Sequence, residues 1–287
     1  MIKNSNTILI ICILVFIILV SGCIFQNGPG SSVNNTSGSG VLTVYCNADV
    51  AQALKNLSVA FETLNPGDSI NVINGTNNAS VIGMTNGQGA EGQMTVCCIS
   101  RPPSNEEYVS AKDHGVDLQM TEIAIDSICI FVNPSNNLSG LNTSQLNDIF
   151  YTGLVDNWSQ LENNDNNTIN VYVPTNPDIV QQFAATIDGG NLPAIGKSAQ
   201  DNTSLDVSND MYGISYGLKQ ESGDNVKIVD VNGLSSRWGN YPLSYQIYMI
   251  TNGTPGGLSL SFINYILSHS GQEVVHGSGL TALDPTV

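Results

Sequence analysis

The sequence predicts an α/β protein with a parallel sheet, and three observations carry that prediction. Strand-like and helix-like segments alternate from residue 41 onward, the order expected when helices cover the faces of a parallel sheet. "MTVCCIS" (94–100) is a continuous apolar run of strand length, as a strand buried on both faces requires. Two further segments, "TEIAIDSICIFVNP" (121–134) and "YPLSYQIYMITNG" (241–253), are unusually long for strands.

"VLTVYC" (41–46) reads as the first strand. The next segment (49–67) places Val50, Leu54, Leu57, Phe61 and Leu64 on one helical face and is stopped by Pro66-Gly67. "SINVIN" (69–74) alternates as a short strand, and "MTVCCIS" follows it. After the first long strand, "NTSQLNDIF" (142–150) predicts a short helix capped by Asn142 or Thr143, with Leu146, Ile149 and Phe150 inward. "INVYV" and "DIVQQFAATI" form a strand and a helix around "PTNP" (174–177); "GISYGL" (213–218) and "VKIVDV" (226–231) are further strands. The end of the chain predicts two amphipathic helices with Phe262, Ile263, Ile266, Leu267, Val274 and Val275 as their apolar stripe, broken at Ser270-Gly271.

Only 11% of the residues are charged, and 24 acidic residues face 8 basic ones, for a formal charge of −16. That balance argues against nucleic acid as a partner and against a basic membrane-binding face. It leaves room for a small anion held by local N–H and hydroxyl donors. At the start, Lys3 precedes the apolar run "TILIICILVFIILV" and the small residues of "VSGC". This pattern predicts a lipoprotein signal peptide over 1–23, with Cys23 as the lipidated residue. The competing reading is an uncleaved transmembrane anchor; both place the remainder outside the membrane. Residues 24–40 are Gly-, Ser- and Asn-rich, a flexible tether. Sequons at Asn56, Asn74, Asn78, Asn137, Asn142, Asn157, Asn166, Asn202 and Asn252 are glycan candidates, though an Asn- and Ser-rich chain also makes them by chance. Cys46, Cys97, Cys98 and Cys129 lie in apolar runs without metal-ligand spacing, so burial as small apolar groups is expected, with a Cys46 disulfide to Cys97 or Cys98 as the alternative.

Catalytic signals are sparse. "GQGAEG" (87–92) matches a dinucleotide fingerprint by letter but precedes a strand instead of following one. No G-x-S-x-G, H-E-x-x-H or Walker sequence occurs, and the three histidines (His114, His269, His276) form no pair with a nucleophile. An enzyme is not expected, nor a cofactor or a metal. "CISRPP" (98–103) is more informative. Ser100-Arg101 end a buried strand, where ligands lie in parallel α/β sheets, and Arg101 is one of two arginines. The alternative is an arginine paired with a nearby carboxylate.

The segment 121–161 resembles the central part of periplasmic-type phosphate-binding proteins of ABC importers. Asp126, Asn133-Pro134, Leu141, Gln145-Leu146, Ile149-Phe150, Gly153 and Asn157-Trp158 fit that family's pattern. "SRPPSNEE", "GISYG", the second long strand and "FINYILSHSGQEVV" extend the similarity from about 41 to 283. The resemblance implies a type II periplasmic-binding-protein-like fold. Its two α/β lobes, 41–127 with 247–287 and 128–246, would be joined by two hinge-crossing strands and close on a ligand. It implies an extracytoplasmic, lipid-anchored, monomeric solute-binding protein that hands phosphate or a similar oxyanion to ABC permease subunits. The other reading is a descendant of the fold with a different ligand or none, acting as a sensor or surface accessory protein.

The family's anion loops are not matched here. At its "GS.T" loop stands Cys46-Asn47-Ala48-Asp49, and at its Gly-Ser-rich turn stands "GTNNAS" with Asn77. Thr95 falls where the family has a proton-accepting Asp, and its glycine-rich loop at a helix start becomes "VPTNPDI". Pro177 removes an N–H there, and Asp178 repels an anion. The polar groups that remain as the expected ligand set are Asn47, Asn77, Thr95, Ser100, Arg101, Thr175 and Asn176.

Overall fold

The computed structural model describes residues 40–76, 80, 81, 83, 84, 96–161, 165–191, 195–198, 203–223, 225–236 and 240–287. The leader with Cys23, the tether through residue 39, the glycine run 87–92, Asn77 and Thr95 lie outside them.

Strand β1 (Val41–Asn47) runs into helix α1 (Ala48–Leu64), then come β2 (Ser69–Gly75), β3 (Val96–Ile99), α2 (Asn105–Asp113) and the long β4 (Leu118–Val132). Next are β5 (Gly140–Leu141), α3 (Thr143–Asn147), β6 (Asn170–Val173), α4 (Pro177–Ile187), β7 (Lys197–Ser198), α5 (Thr203–Asn209), β8 (Gly213–Leu218) and β9 (Lys227–Val231). β10 (Ser244–Asn252), α6 (Gly257–Leu267) and α7 (His269–Gly277) complete the chain. The main strand order is β2-β1-β3-β10-β4-β8-β6-β7, with β9 joining β4 to β5.

β1 pairs parallel with both β2 and β3, as the strand–helix alternation predicts. β10 returns antiparallel between β3 and β4, so the sheet is mixed. β4 and β10 connect two large cores. The first gathers Val44, Leu54, Phe61, Ala124, Met249, Phe262 and their neighbours. The second gathers Ile130, Phe150, Trp158, Phe183, Tyr216, Leu243 and theirs. One half of β4 (Leu118–Ser127) pairs with β10, and the other (Ile128–Val132) with β8 and β9.

Local chemistry explains the boundaries. Ser104 with Glu107 and Asn142 with Gln145 form capping boxes at α2 and α3, and Asn176 caps α4 with Pro177 as its first residue. Two apolar-face expectations fail at helix ends: Leu64 and Leu267 are exposed, because each is the last residue of its helix and lies past the core. The break between the last helices falls at Ser268, not at Ser270-Gly271. Ser268 ends α6 and accepts the Gly271 N–H to start α7. Gly271 serves close packing: a Cβ there would lie 2.0 Å from the Tyr265 carbonyl oxygen. All four cysteines beyond the leader are buried free thiols, with Cys46 opposite Cys98 in the β1–β3 register. No helix among the described residues is long and apolar enough to cross a membrane.

Candidate functional site

The in-register parallel pairing of β1 and β3 sets their carboxyl ends side by side, and Asn47 and Ser100 stand at those ends. Asn47 occupies the N-cap position of α1 but makes no capping bond with its side chain. Instead its Nδ2 donates to Asp49 Oδ2 at 2.9 Å and to Ser100 Oγ at 3.1 Å. The amide orientation is fixed by chemistry, because the reverse would set its oxygen against a carboxylate. Asn47 Oδ1 is buried and has no hydrogen-bond partner among the described residues.

A second donor comes from the start of α4. Asn176 Oδ1 accepts the Asp178 N–H at 3.0 Å, which caps the helix and turns Nδ2 outward. That Nδ2 donates to Asp49 Oδ1 at 2.6 Å, 127 residues away in sequence. One carboxylate, in the first turn of α1, therefore collects donors from both cores. Gln220 Nε2 reaches the Asp49 backbone oxygen at 3.4 Å.

Three more acids surround this point. Asp178 lies in the first turn of α4 and is buried. Glu221 follows β8, where its Oε2 accepts the Leu218 N–H at 3.0 Å. Gly217 makes room for it: a Cβ there would stand 2.7 Å from Glu221 Oε2 and 2.9 Å from the Phe131 ring. Asp126 sits in β4 opposite Tyr245 of β10, accepting the Ser127 N–H at 2.7 Å and the Tyr245 hydroxyl at 3.2 Å. Burial raises Asp49 to about 6; the Asn176 and Asn47 bonds oppose the rise, and the Asp178 and Glu221 charges add to it. Burial also raises Asp126 to about 7 against its Ser127 and Tyr245 bonds, with Asp49 and Glu221 adding to the rise. Glu221 is raised as well, by burial.

Arg101 is committed elsewhere. Its Nη1 and Nη2 each donate to a Glu107 oxygen at 2.8 Å, and Glu107 also accepts the Ser104 N–H at 2.7 Å. Thr175 is exposed at the turn before Asn176. Of the expected ligand set, the structure thus brings together Asn47, Ser100 and Asn176, holds Arg101 on Glu107 and leaves Thr175 at the rim. Asn77 and Thr95 lie outside the described residues. Sequence reasoning did not select Asp49, Asp126 or Glu221. A signal existed for Asp49, which stands within the segment that replaces the family's first hydroxyl loop. His114, His269 and His276 are all exposed, and His269 bonds to Asp284. No group of three or more His, Cys, Asp or Glu among the described residues has the arrangement of a metal site.

The arrangement sets two amide donors, Asn47 Nδ2 and Asn176 Nδ2, on the Asp49 carboxylate, with the Ser100 hydroxyl accepting from Asn47 beside them, within an acidic surround. Such a site can hold a small polar solute by hydrogen bonds. Among the described residues it has no nucleophile with an adjacent base.

Comparison with known proteins agrees with this architecture. A protein assigned as a phosphate ABC transporter substrate-binding protein, from Clostridium perfringens and with bound phosphate, superposes with a TM-score of 0.69 at 24% identity. The match covers 85% of this chain and 100% of that one. An ABC-type phosphate transport receptor from Vibrio cholerae gives 0.68 at 17% identity over 84% and 99%. PstS from Borrelia burgdorferi gives 0.62 at 16% identity over 85% and 98%. At these identities the likeness establishes the fold. A family model described as PBP superfamily domain matches residues 33–270. That match spans most of the chain, including every element that carries the side chains just described, and the chain belongs to the PBP superfamily.

Proposed function

We propose that this chain is an extracytoplasmic solute-binding protein of an ABC importer, and that it takes phosphate or a similar small oxyanion between its two lobes. The lobes are residues 41–127 with 247–287 and residues 128–246, lipid at Cys23 holds the monomer at the membrane, and permease subunits receive the solute. One observation carries the oxyanion reading: Asn47 and Asn176, from opposite cores, both donate to one carboxylate, that of Asp49. A carboxylate is itself an oxyanion, so the donor set is arranged for that chemistry. Ser100 Oγ accepts from the same Asn47 amide, and two of the similar proteins above are described as phosphate-transport proteins.

A second reading has its own observation. Asp178, Glu221 and Asp126 surround Asp49 with further acids, which disfavours a dianion and fits a descendant with a different ligand or none, serving as a sensor or accessory surface protein. Titration calorimetry of phosphate into the full-length chain in detergent, at mildly acid and mildly alkaline pH, separates the two. Saturable micromolar or tighter binding at either pH supports the importer reading. No heat at either pH from a cooperatively folded sample favours the second.

A further inference from the structure

We infer that Asp49 is the specificity-determining residue of the cleft: its carboxylate is a resident occupant of the oxyanion position, and an external oxyanion binds by displacing it. The inference rests on the oxyanion reading above and deepens it. Three geometric facts support it. Asp49 takes a donor from each side of the cleft, at 2.9 and 2.6 Å, so the contacts that would clasp a solute clasp a side chain instead. Asn47 forgoes capping α1 to make its bond, which leaves the first N–H groups of that helix to other acceptors. Most tellingly, Asn47 Oδ1 is buried, belongs to the same amide and has no partner among the described residues. A buried acceptor without a donor is costly, and a carboxylate cannot relieve it. A solute bearing an O–H can. The site thus lacks the one group that its present occupant is unable to supply.

Displacement is coupled to a proton because of what faces Asp49. Asp178 on α4 and Glu221 after β8 lie within electrostatic reach, as does Asp126 on β4. Arg101 after β3 is bound to Glu107 and also acts on Asp178, and Lys219 precedes Glu221 by two residues, but the charges that act on Asp49 itself, Asp178 and Glu221, are both acidic. Bringing an anion into this surround while Asp49 stays ionised adds a charge to a cluster with more acids than cations acting on it. Protonating Asp49 removes one charge and weakens its hold on the two amides. Burial already favours that protonated form.

The test is equilibrium binding of inorganic phosphate, and of sulfate as an anion that does not titrate near neutrality, to the full-length chain. Wild type, Asp49→Asn and Asp49→Ala are compared at about pH 5.5 and about pH 8. Calorimetry in two buffers of different ionisation enthalpy counts protons taken up. The expected result is wild-type affinity falling roughly tenfold or more between the two pH values, with proton uptake on binding. Asp49→Asn should bind roughly tenfold or more tighter than wild type at the higher pH, with less uptake. Equal or weaker binding by both variants at both pH values, in samples that melt cooperatively, overturns the inference and leaves the oxyanion reading standing. Failure of wild type and both variants to bind either anion overturns the oxyanion reading and this inference together.

Discussion

Arg101 and Asp49 follow the carboxyl ends of the adjacent strands β3 and β1, and each is gripped by two close contacts. The grips differ in kind. Glu107 meets Arg101 with the opposite charge in a bidentate pair and closes the capping box of α2 with the same carboxylate. Asp49 is met by two neutral amides, with further acids beyond them. The first cluster is charge-balanced and integral to a helix start. The second keeps a buried carboxylate whose direct hydrogen-bond partners are neutral, with the nearest named charges, Asp178 and Glu221, of its own sign. Stabilising ion pairs leave nothing for a ligand to improve. A perturbed, uncompensated group in a cleft marks the place where a ligand or a proton changes the energy most.

The sharpest way to break this comparison is pH, where the larger effect is expected. Asp49 and Asp126 have folded-state values near 6 and 7, both above the ordinary 3.8. The folded chain therefore holds protons that the unfolded chain releases. The stability these two groups confer is full below about pH 4 and is lost as pH rises through about 6 and then about 7. A tenfold difference in proton affinity between the folded and unfolded chain is worth about 1.4 kcal/mol; from about pH 5 to about pH 8 Asp49 passes through roughly one such step and Asp126 through roughly two, so a loss of about 4 kcal/mol is expected. The balanced cluster behaves oppositely. Burial raises Glu107, but the Arg101 and Ser104 bonds outweigh it and hold it below its ordinary 4.5, so its contribution fades only in more acid solution. Urea unfolding at several pH values measures the slope, and Asp126→Asn should flatten it by more than half. A stability that is level or rising over that range would show that the acids around Asp49 are not buried charges.

A cut through the balanced cluster comes next in size. Glu107→Ala removes the partner of a guanidinium whose side chain is only 19% exposed, and it opens the α2 capping box. A lost cap costs about 1 kcal/mol and a stranded, partly buried charge costs at least as much again, for a total of about 2 kcal/mol. Denaturant midpoints of the variant and wild type give the difference. A change below about 0.5 kcal/mol would place the pair among ordinary surface contacts.

Why was one cluster readable from sequence and the other not? The strands and helices were legible because their side-chain periods are local: Val50, Leu54, Leu57 and Phe61 repeat at helical spacing, and all are buried. Caps were legible for the same reason, as Asn142 and Asn176 sit directly before their helices. Pairing of Arg101 with a carboxylate could be weighed in advance, since Glu107 is six residues away. Asp49 and Asn176 are separated by 127 residues, and only the packing of two cores brings them together. Asp126 and Glu221 gain their significance from burial, which depends on where β4 and β8 run and not on the residues beside them. Helix ends were misread at Leu64 and Leu267 because periodicity continues past the point where the core stops.

The smallest expected effect sharpens the comparison most cleanly, because it keeps the charge and changes only its shape. Arg101→Lys leaves a cation beside Glu107 but replaces a planar fork with a point charge. A lysine cannot donate two parallel bonds to the two Glu107 oxygens as the guanidinium does. If the cluster owes its stability to bidentate geometry, the substitution costs about 1 kcal/mol in denaturant unfolding and leaves phosphate affinity within about twofold. If Arg101 instead serves the solute directly, affinity falls by much more than stability does. That outcome would move Arg101 across to the side of Asp49, as a group whose partner in the folded chain only stands in for the ligand.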